Sequence, residues 1–102
     1  MNFSVGICAY NEEQNIGYLL ENILTHETKH HLDEIIVVSS GSTDRTNEIV
    51  NKWAQRDKRV RLIVEPERRG KYSAVNLILA NNQSEILVMT DADCLLKDNA
   101  LA

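Results

Sequence analysis

Four short apolar runs alternate with three longer amphipathic stretches along 102 residues, and no segment recurs at a fixed period. Apolar runs of this length, separated by helix-length stretches, predict βαβ units and a parallel sheet. Phe3–Ala9, Glu34–Ser39, Val60–Val64 and Glu85–Thr90 are the predicted strands. Ile35 to Val38 and Ile86 to Met89 are continuously apolar rather than alternating, as strands covered on both faces should be. The expected fold class is therefore α/β, a Rossmann-like parallel sheet with helices on both faces.

The intervening stretches carry a helical period. Ile16, Leu19, Leu20, Ile23 and Leu24 repeat at i, i+3, i+4, i+7 and i+8. Asn11 followed by Gln14 has capping-box spacing ahead of that helix. Thr46, Ile49, Val50, Trp53 and Ala54 form a second apolar stripe, with Gly41-Ser42-Thr43-Asp44 as turn and cap. A third helix follows Gly70 and runs to about Asn82, with Ala74, Leu77, Ile78 and Ala80 inward. Right-handed crossovers set consecutive strands side by side, and ligands bind where the winding reverses, at the carboxyl ends of the strands. With strand order 3-2-1-4, the turn after the first strand and the turn after the fourth flank that reversal.

A net charge of -4 argues against a nucleic-acid partner or an anionic lipid surface. The middle third is the exception, because residues 35 to 68 hold seven Lys and Arg against five acids and could meet an anion. No apolar run approaches the ~20 residues that span a bilayer, and the first residues lack a basic signal region, so the expectation is cytoplasmic. Cys8 and Cys94 are too few for a disulfide framework and are expected to be reduced packing residues.

Candidate chemistry collects at the turns. Asp91 and Asp93 stand two residues apart at the end of a strand, with only Ala92 between them, and can direct both carboxylates to one side. A hard divalent cation would relieve their repulsion and act as a Lewis acid on a leaving diphosphate, although Asp-x-Asp also serves simply as a turn. Tyr10-Asn11-Glu12-Glu13 offers an aromatic face, an amide and two acids, or else an ordinary acidic first turn. Ser39, Ser40, Ser42 and Thr43 surround Gly41 with hydroxyls suited to ribose or phosphate, or to helix capping. Arg68, Arg69 and Lys71 could neutralise a diphosphate or line a solvated loop. His26, His30 and His31, and Arg56, Lys58, Arg59 and Arg61, fall at the opposite end of the sheet, the basic set as a solvated face. No nucleophile elbow, Walker lysine loop or Gly-x-Gly-x-x-Gly fingerprint is present.

Taken in order, Val5-Gly6-Ile7-Cys8-Ala9-Tyr10-Asn11-Glu12-Glu13, Glu34 through Thr46, Gly70-Lys71 with Ala74 and Asn76, and Met89-Thr90-Asp91-Ala92-Asp93 resemble the N-terminal half of family 2 glycosyltransferases. The resemblance implies a GT-A fold, a nucleotide-sugar donor that is usually a UDP-sugar, Mg²⁺ or Mn²⁺ on the DxD acids, and inverting transfer to an acceptor hydroxyl. Tyr10, Asn11 and Glu12 match the turn that contacts uridine, and Lys71 matches a basic position near the nucleotide. Asp91 and Asp93 match the DxD. Cys8 stands where Pro is common. Ser39-Ser40 stand where an Asp-Asp pair is common, one acid of which reads the uracil, so Ser40 occupies a donor-binding position without that acid.

In this family the acceptor site and general base follow the DxD, and nine residues follow Asp93 here. Residues 1–102 thus read as the donor-binding half of a larger enzyme, with the catalytic base elsewhere, and alone they are expected to be inactive. A nucleotide-binding module without transfer chemistry is the competing reading. A haloacid-dehalogenase-type phosphatase ranks lower, because its Asp-x-Asp ends the first strand rather than the fourth. With order 3-2-1-4 the fourth strand has an open edge free of charge and Pro, which predicts pairing of this segment with a copy of itself.

Overall fold

The computed structural model describes residues 2–25, 31–67 and 70–91, without the side chains of Lys71 and Asp91. The element order is β1 (Asn2–Ala9), α1 (Ile16–Thr25), β2 (His31–Ser40), α2 (Thr46–Arg56), β3 (Val60–Glu65), α3 (Lys71–Asn81) and β4 (Ile86–Asp91). The strands form one parallel sheet in the order β3-β2-β1-β4, as expected. The chain steps from β1 to β2 to β3 in one direction, then crosses back to place β4 on the far side of β1. Winding therefore reverses between β1 and β4.

Right-handed crossovers put α1 and α2 on one face and α3 on the other. On the first face Phe3, Val5, Ile7 and Ala9 of β1, with Ile35 and Val37 of β2, pack against Ile16, Leu19, Leu20 and Ile23 of α1 and Val50 of α2. On the second, Ile36 and Val38 meet Ala74 and Ile78 of α3, joined by Cys8, Ile63, Leu77 and Leu87. Ile35 to Val38 are fully buried because both of their faces are covered. Gly6 is what lets α3 approach β1. A Cβ at that position would lie 2.5 Å from Ile78 Cγ2 and 2.8 Å from Met89 Sδ.

The elements differ from expectation in three places. β2 begins at His31 rather than Glu34, with a register shift between the Phe3–Leu32 and Ser4–Glu34 pairs. Asp33 falls at that irregularity, and Ser84 Oγ donates to Asp33 Oδ2 (2.6 Å) within hydrogen-bond reach of buried Ser4 (2.6 Å). Asn11 does not cap α1, which starts five residues later, at Ile16. A short turn intervenes, in which the N–H groups of Asn15 and Ile16 both donate to the Glu12 carbonyl, and Gln14 is exposed ahead of the helix. Ala80 is exposed rather than inward, since Ala74 and Ile78 already define the buried edge of α3.

The basic residues at the amino ends of the strands are tied down more than a solvated face would be. Arg59 forms a two-pronged contact with Asp57 (3.0 and 2.7 Å), and Arg61 reaches the Asn81 carbonyl and lies 3.8 Å from Glu34. Arg56 sits 5.9 Å from the Trp53 ring centroid. His31 opens β2, at the far end from the acids, with Nε2 3.6 Å from Asp33 Oδ1. His26, His30 and Cys94 lie outside the described residues.

Candidate functional site

The carboxyl ends of β1 and β2 each release the chain into a polar turn, and the two turns are bonded to one another. Asn11 adopts a left-handed backbone, φ 49°, a conformation Asn tolerates better than most residues. In that pose its Oδ1 accepts the Thr43 N–H (2.7 Å) and its own N–H donates to Ser42 Oγ (3.1 Å). Ser39 Oγ donates to the same Ser42 hydroxyl (2.7 Å). Asn11 is thus a clamp across two turns rather than a helix cap.

A second layer of bonds lies beneath the first. Thr46, fully buried at the start of α2, accepts the Glu12 N–H on Oγ1 (2.8 Å) and donates its own hydroxyl to Asp44 Oδ1. Asp44 also accepts the Thr46 N–H (2.9 Å) and, through Oδ2, the Glu13 N–H (3.2 Å). One carboxylate therefore begins α2 and holds the β1 turn. Burial pushes the Asp44 carboxyl up, but the Thr46 hydroxyl and the backbone N–H groups of Thr46 and Glu13 outweigh it and hold it below the usual carboxylate range. Sequence patterning assigned Thr46 to an apolar stripe, so its hydroxyl role went unread. The signal was available in Asp44-x-Thr46, an acid two residues before the helix.

The other candidates fall around this pair of turns. Tyr10, 38% exposed, links β1 to the Asn11 turn. Glu12 places its carboxyl 3.2 Å from the Asn15 amide. Ser40 ends β2 and is buried, paired in register with Glu65 at the end of β3. Gly41, φ 68°, turns the chain away and donates its N–H to the Glu65 carbonyl (2.9 Å). Gly70, φ 88°, precedes Lys71, the first residue of α3. Asp91 ends β4 opposite Cys8, two residues short of Tyr10, so the last strand delivers it to the point where winding reverses. The side chains of Lys71 and Asp91, and all of Asp93, Arg68 and Arg69, lie outside the described residues. Among the described residues no three His, Cys, Asp or Glu side chains are grouped to hold a metal.

Glu65 was not among the candidate residues. It is 6% exposed, with Oε2 accepting the Ser73 hydroxyl (2.6 Å) and Oε1 buried without a hydrogen-bond donor among the described residues. An acid directly after the apolar run Leu62-Ile63-Val64 was its only trace in the sequence.

Comparison with known proteins gives a consistent picture. A family model described as glycosyl transferase family 2 matches residues 4–102. A dolichyl-phosphate beta-glucosyltransferase of Trichomonas vaginalis is 35% identical over 91 residues, covering 83% of this chain and 27% of the relative. Among solved structures, a mannosyltransferase of Pyrobaculum calidifontis in complex with GDP-Man and Mn²⁺ superposes with TM-score 0.80 at 39% identity, covering 91% of this chain and 28% of that one. TarS of S. aureus in complex with UDP-GlcNAc gives TM-score 0.78 at 28% identity, covering 91% of this chain and 27% of that one. The chain spans 27–28% of the length of these relatives.

Proposed function

The chain belongs to glycosyl transferase family 2, and from that premise we propose that it supplies the donor-binding part of an enzyme that moves a sugar from a nucleoside diphosphate to an acceptor hydroxyl with inversion. UDP is the proposed nucleotide. The observation that carries the reading is the double stitching of the Asn11-Glu12-Glu13 turn to the Ser42–Thr46 turn, at the carboxyl edge beside the β1/β4 reversal. Ligands of open α/β sheets enter at that crevice.

In this reading the base and ribose lie against Tyr10, Asn11, Glu12 and Ser40. Lys71, at the amino end of α3, meets the diphosphate together with the helix terminus. The two turns are already bonded to one another before the donor arrives, through Asn11, Glu12 and Glu13 on one side and Ser42, Thr43, Asp44 and Thr46 on the other, which lowers the ordering cost left to binding. Carboxylate oxygens suit a hard cation. Asp91, which ends β4 at the reversal, and Asp93, two residues further along the sequence, are the proposed holders of Mg²⁺ or Mn²⁺. Such an ion would supply Lewis-acid stabilisation of the departing diphosphate. The residues of this chain bind and orient the donor.

Calorimetric titration of the intact protein with UDP, GDP and dTDP, with and without Mn²⁺, tests the reading. Metal-dependent binding of a nucleoside diphosphate, lost in Asp91→Asn and Asp93→Asn, is the expected result. No binding under either condition would sink it.

A further inference from the structure

A carboxyl group is seldom buried without partners for both oxygens, since each lone pair taken from water must be compensated. Glu65 is the exception here. Its Oε2 anchors α3 through Ser73, and its Oε1 faces no donor among the described residues. That oxygen sits at the carboxyl edge, not in the core. Glu65 pairs with Ser40 across β2 and β3, and paired residues of neighbouring parallel strands share a face of the sheet. Tyr10 directly follows Ala9, the register partner of Ser39, so the chain leaves β1 at Tyr10 next to the Ser40–Glu65 pair that ends β2 and β3. An aromatic residue, a hydroxyl and a carboxyl oxygen without a donor among the described residues at neighbouring strand ends are the elements needed to hold a planar ring with a hydrogen-bond acceptor at its edge.

We propose that Glu65 reads the nucleobase of the donor: Oε1 accepts the ring N–H that uracil carries at N3 and guanine at N1. Adenine and cytosine present a lone pair at the equivalent ring nitrogen, and a carboxylate, which accepts and does not donate, rejects them. The inference rests on the donor-site reading above and deepens it. Ser40 carries no carboxyl group, and the acid beside it at this edge is Glu65, from the next strand. A ligand without that N–H leaves Oε1 without a donor among the described residues, as in the free protein, so only a base that carries the N–H gains the bond.

The decisive probes are UDP and N3-methyl-UDP, titrated into the intact protein with Mn²⁺ beside GDP, CDP and inorganic diphosphate. UDP is expected to bind about 10- to 100-fold more tightly than N3-methyl-UDP and CDP, the range spanned by a hydrogen bond to a charged group. GDP distinguishes the two N–H-bearing bases. In Glu65→Met the UDP and N3-methyl-UDP affinities should converge to within about threefold, while inorganic diphosphate binds as it does to the parent protein. If that variant does not fold, Glu65→Gln, which keeps the side-chain shape and the Ser73 contact, should cost UDP about fivefold or more and inorganic diphosphate nothing. Equal binding of UDP and N3-methyl-UDP to the parent protein, or a methyl penalty that persists in Glu65→Met, overturns the role of Glu65 and leaves the donor site standing. Failure of every nucleotide to bind overturns both.

Discussion

Thr46→Val removes one hydroxyl, keeps the side-chain shape, and breaks both layers that join the two turns. Thr46 is fully buried, and its Oγ1 both accepts from the Glu12 N–H and donates to the Asp44 carboxylate. A hydrogen bond to a charged group contributes about 1.5–3 kcal/mol and a neutral one about 0.5–1.5 kcal/mol. Against that sum, Asp44 keeps the N–H groups of Thr46 and Glu13, and the added methyl recovers up to about 0.8 kcal/mol of burial. A net loss of about 2 kcal/mol follows. Thr46→Ser retains the hydroxyl and loses only a methyl, for about 1 kcal/mol. Urea unfolding should therefore place the parent protein first, Thr46→Ser second and Thr46→Val last in stability, with midpoints shifting and slopes unchanged. Acid adds a second readout. Because the folded Asp44 carboxyl titrates below its unfolded value near 3.9, its stabilisation is complete above about pH 4 and is lost as pH falls through the lower folded value. The deficit of Thr46→Val should accordingly be largest at neutral pH and shrink below about pH 4. A Thr46→Val protein within about 0.5 kcal/mol of the parent, or more stable than Thr46→Ser, would refute the reasoning.

Gly6→Ala should destabilise by about 1–3 kcal/mol through overpacking against Ile78 and Met89; adding Ile78→Ala should cost less than its effect in the parent, and simple additivity in urea unfolding would show that the contact relaxes freely. Asn11→Ala loses the Thr43 acceptor and forces a Cβ residue to φ 49°, so it should be about 1 kcal/mol less stable than Asn11→Gly, which loses only the bond; the reverse order would assign the effect to chain entropy alone. Among the described strands β4 pairs only with β1, and Ile86 and Met89 are each 39% exposed; sedimentation of residues 1–102 should show self-association through that edge, with a single monomer across the micromolar to millimolar range as the contrary result.

The fold was legible because burial on both faces leaves an unbroken apolar run. Ile35 to Val38 could belong only to a covered strand, and the helical stripe from Ile16 to Ile23 matches the face that meets β1 and β2. Legibility failed where a local pattern had a distant competitor. Asn11 and Gln14 satisfy a capping box on spacing, yet the Asn11 amide is captured by a backbone N–H 32 residues away, and α1 starts later as a result. β2 starts earlier than its apolar run because Asp33 finds Ser84, 51 residues on. Propensity ranks the options for a polar side chain, and tertiary partners choose among them.

The site follows the same logic with a regularity of its own. Its cross-turn bonds join residues 31, 32 and 34 positions apart, about the length of one βαβ unit. That spacing is a consequence of the topology: each right-handed crossover carries the chain from the end of one strand to the end of its neighbour, so polar residues that follow consecutive strands arrive side by side. Asn11 and Ser42, Glu12 and Thr46, and Glu13 and Asp44 are such pairs. Ser40 and Glu65 are the next pair in the series, joined by register and by the Gly41 N–H to the Glu65 carbonyl. An acid at the end of one strand should therefore be weighed against the polar residues that end its neighbours, not against its own flanking sequence. By that criterion Glu65, beside Ser40, is to be weighed with the residues of the turns, and an Oε1 without a donor among the described residues is the chemical reason to test for a ligand atom there.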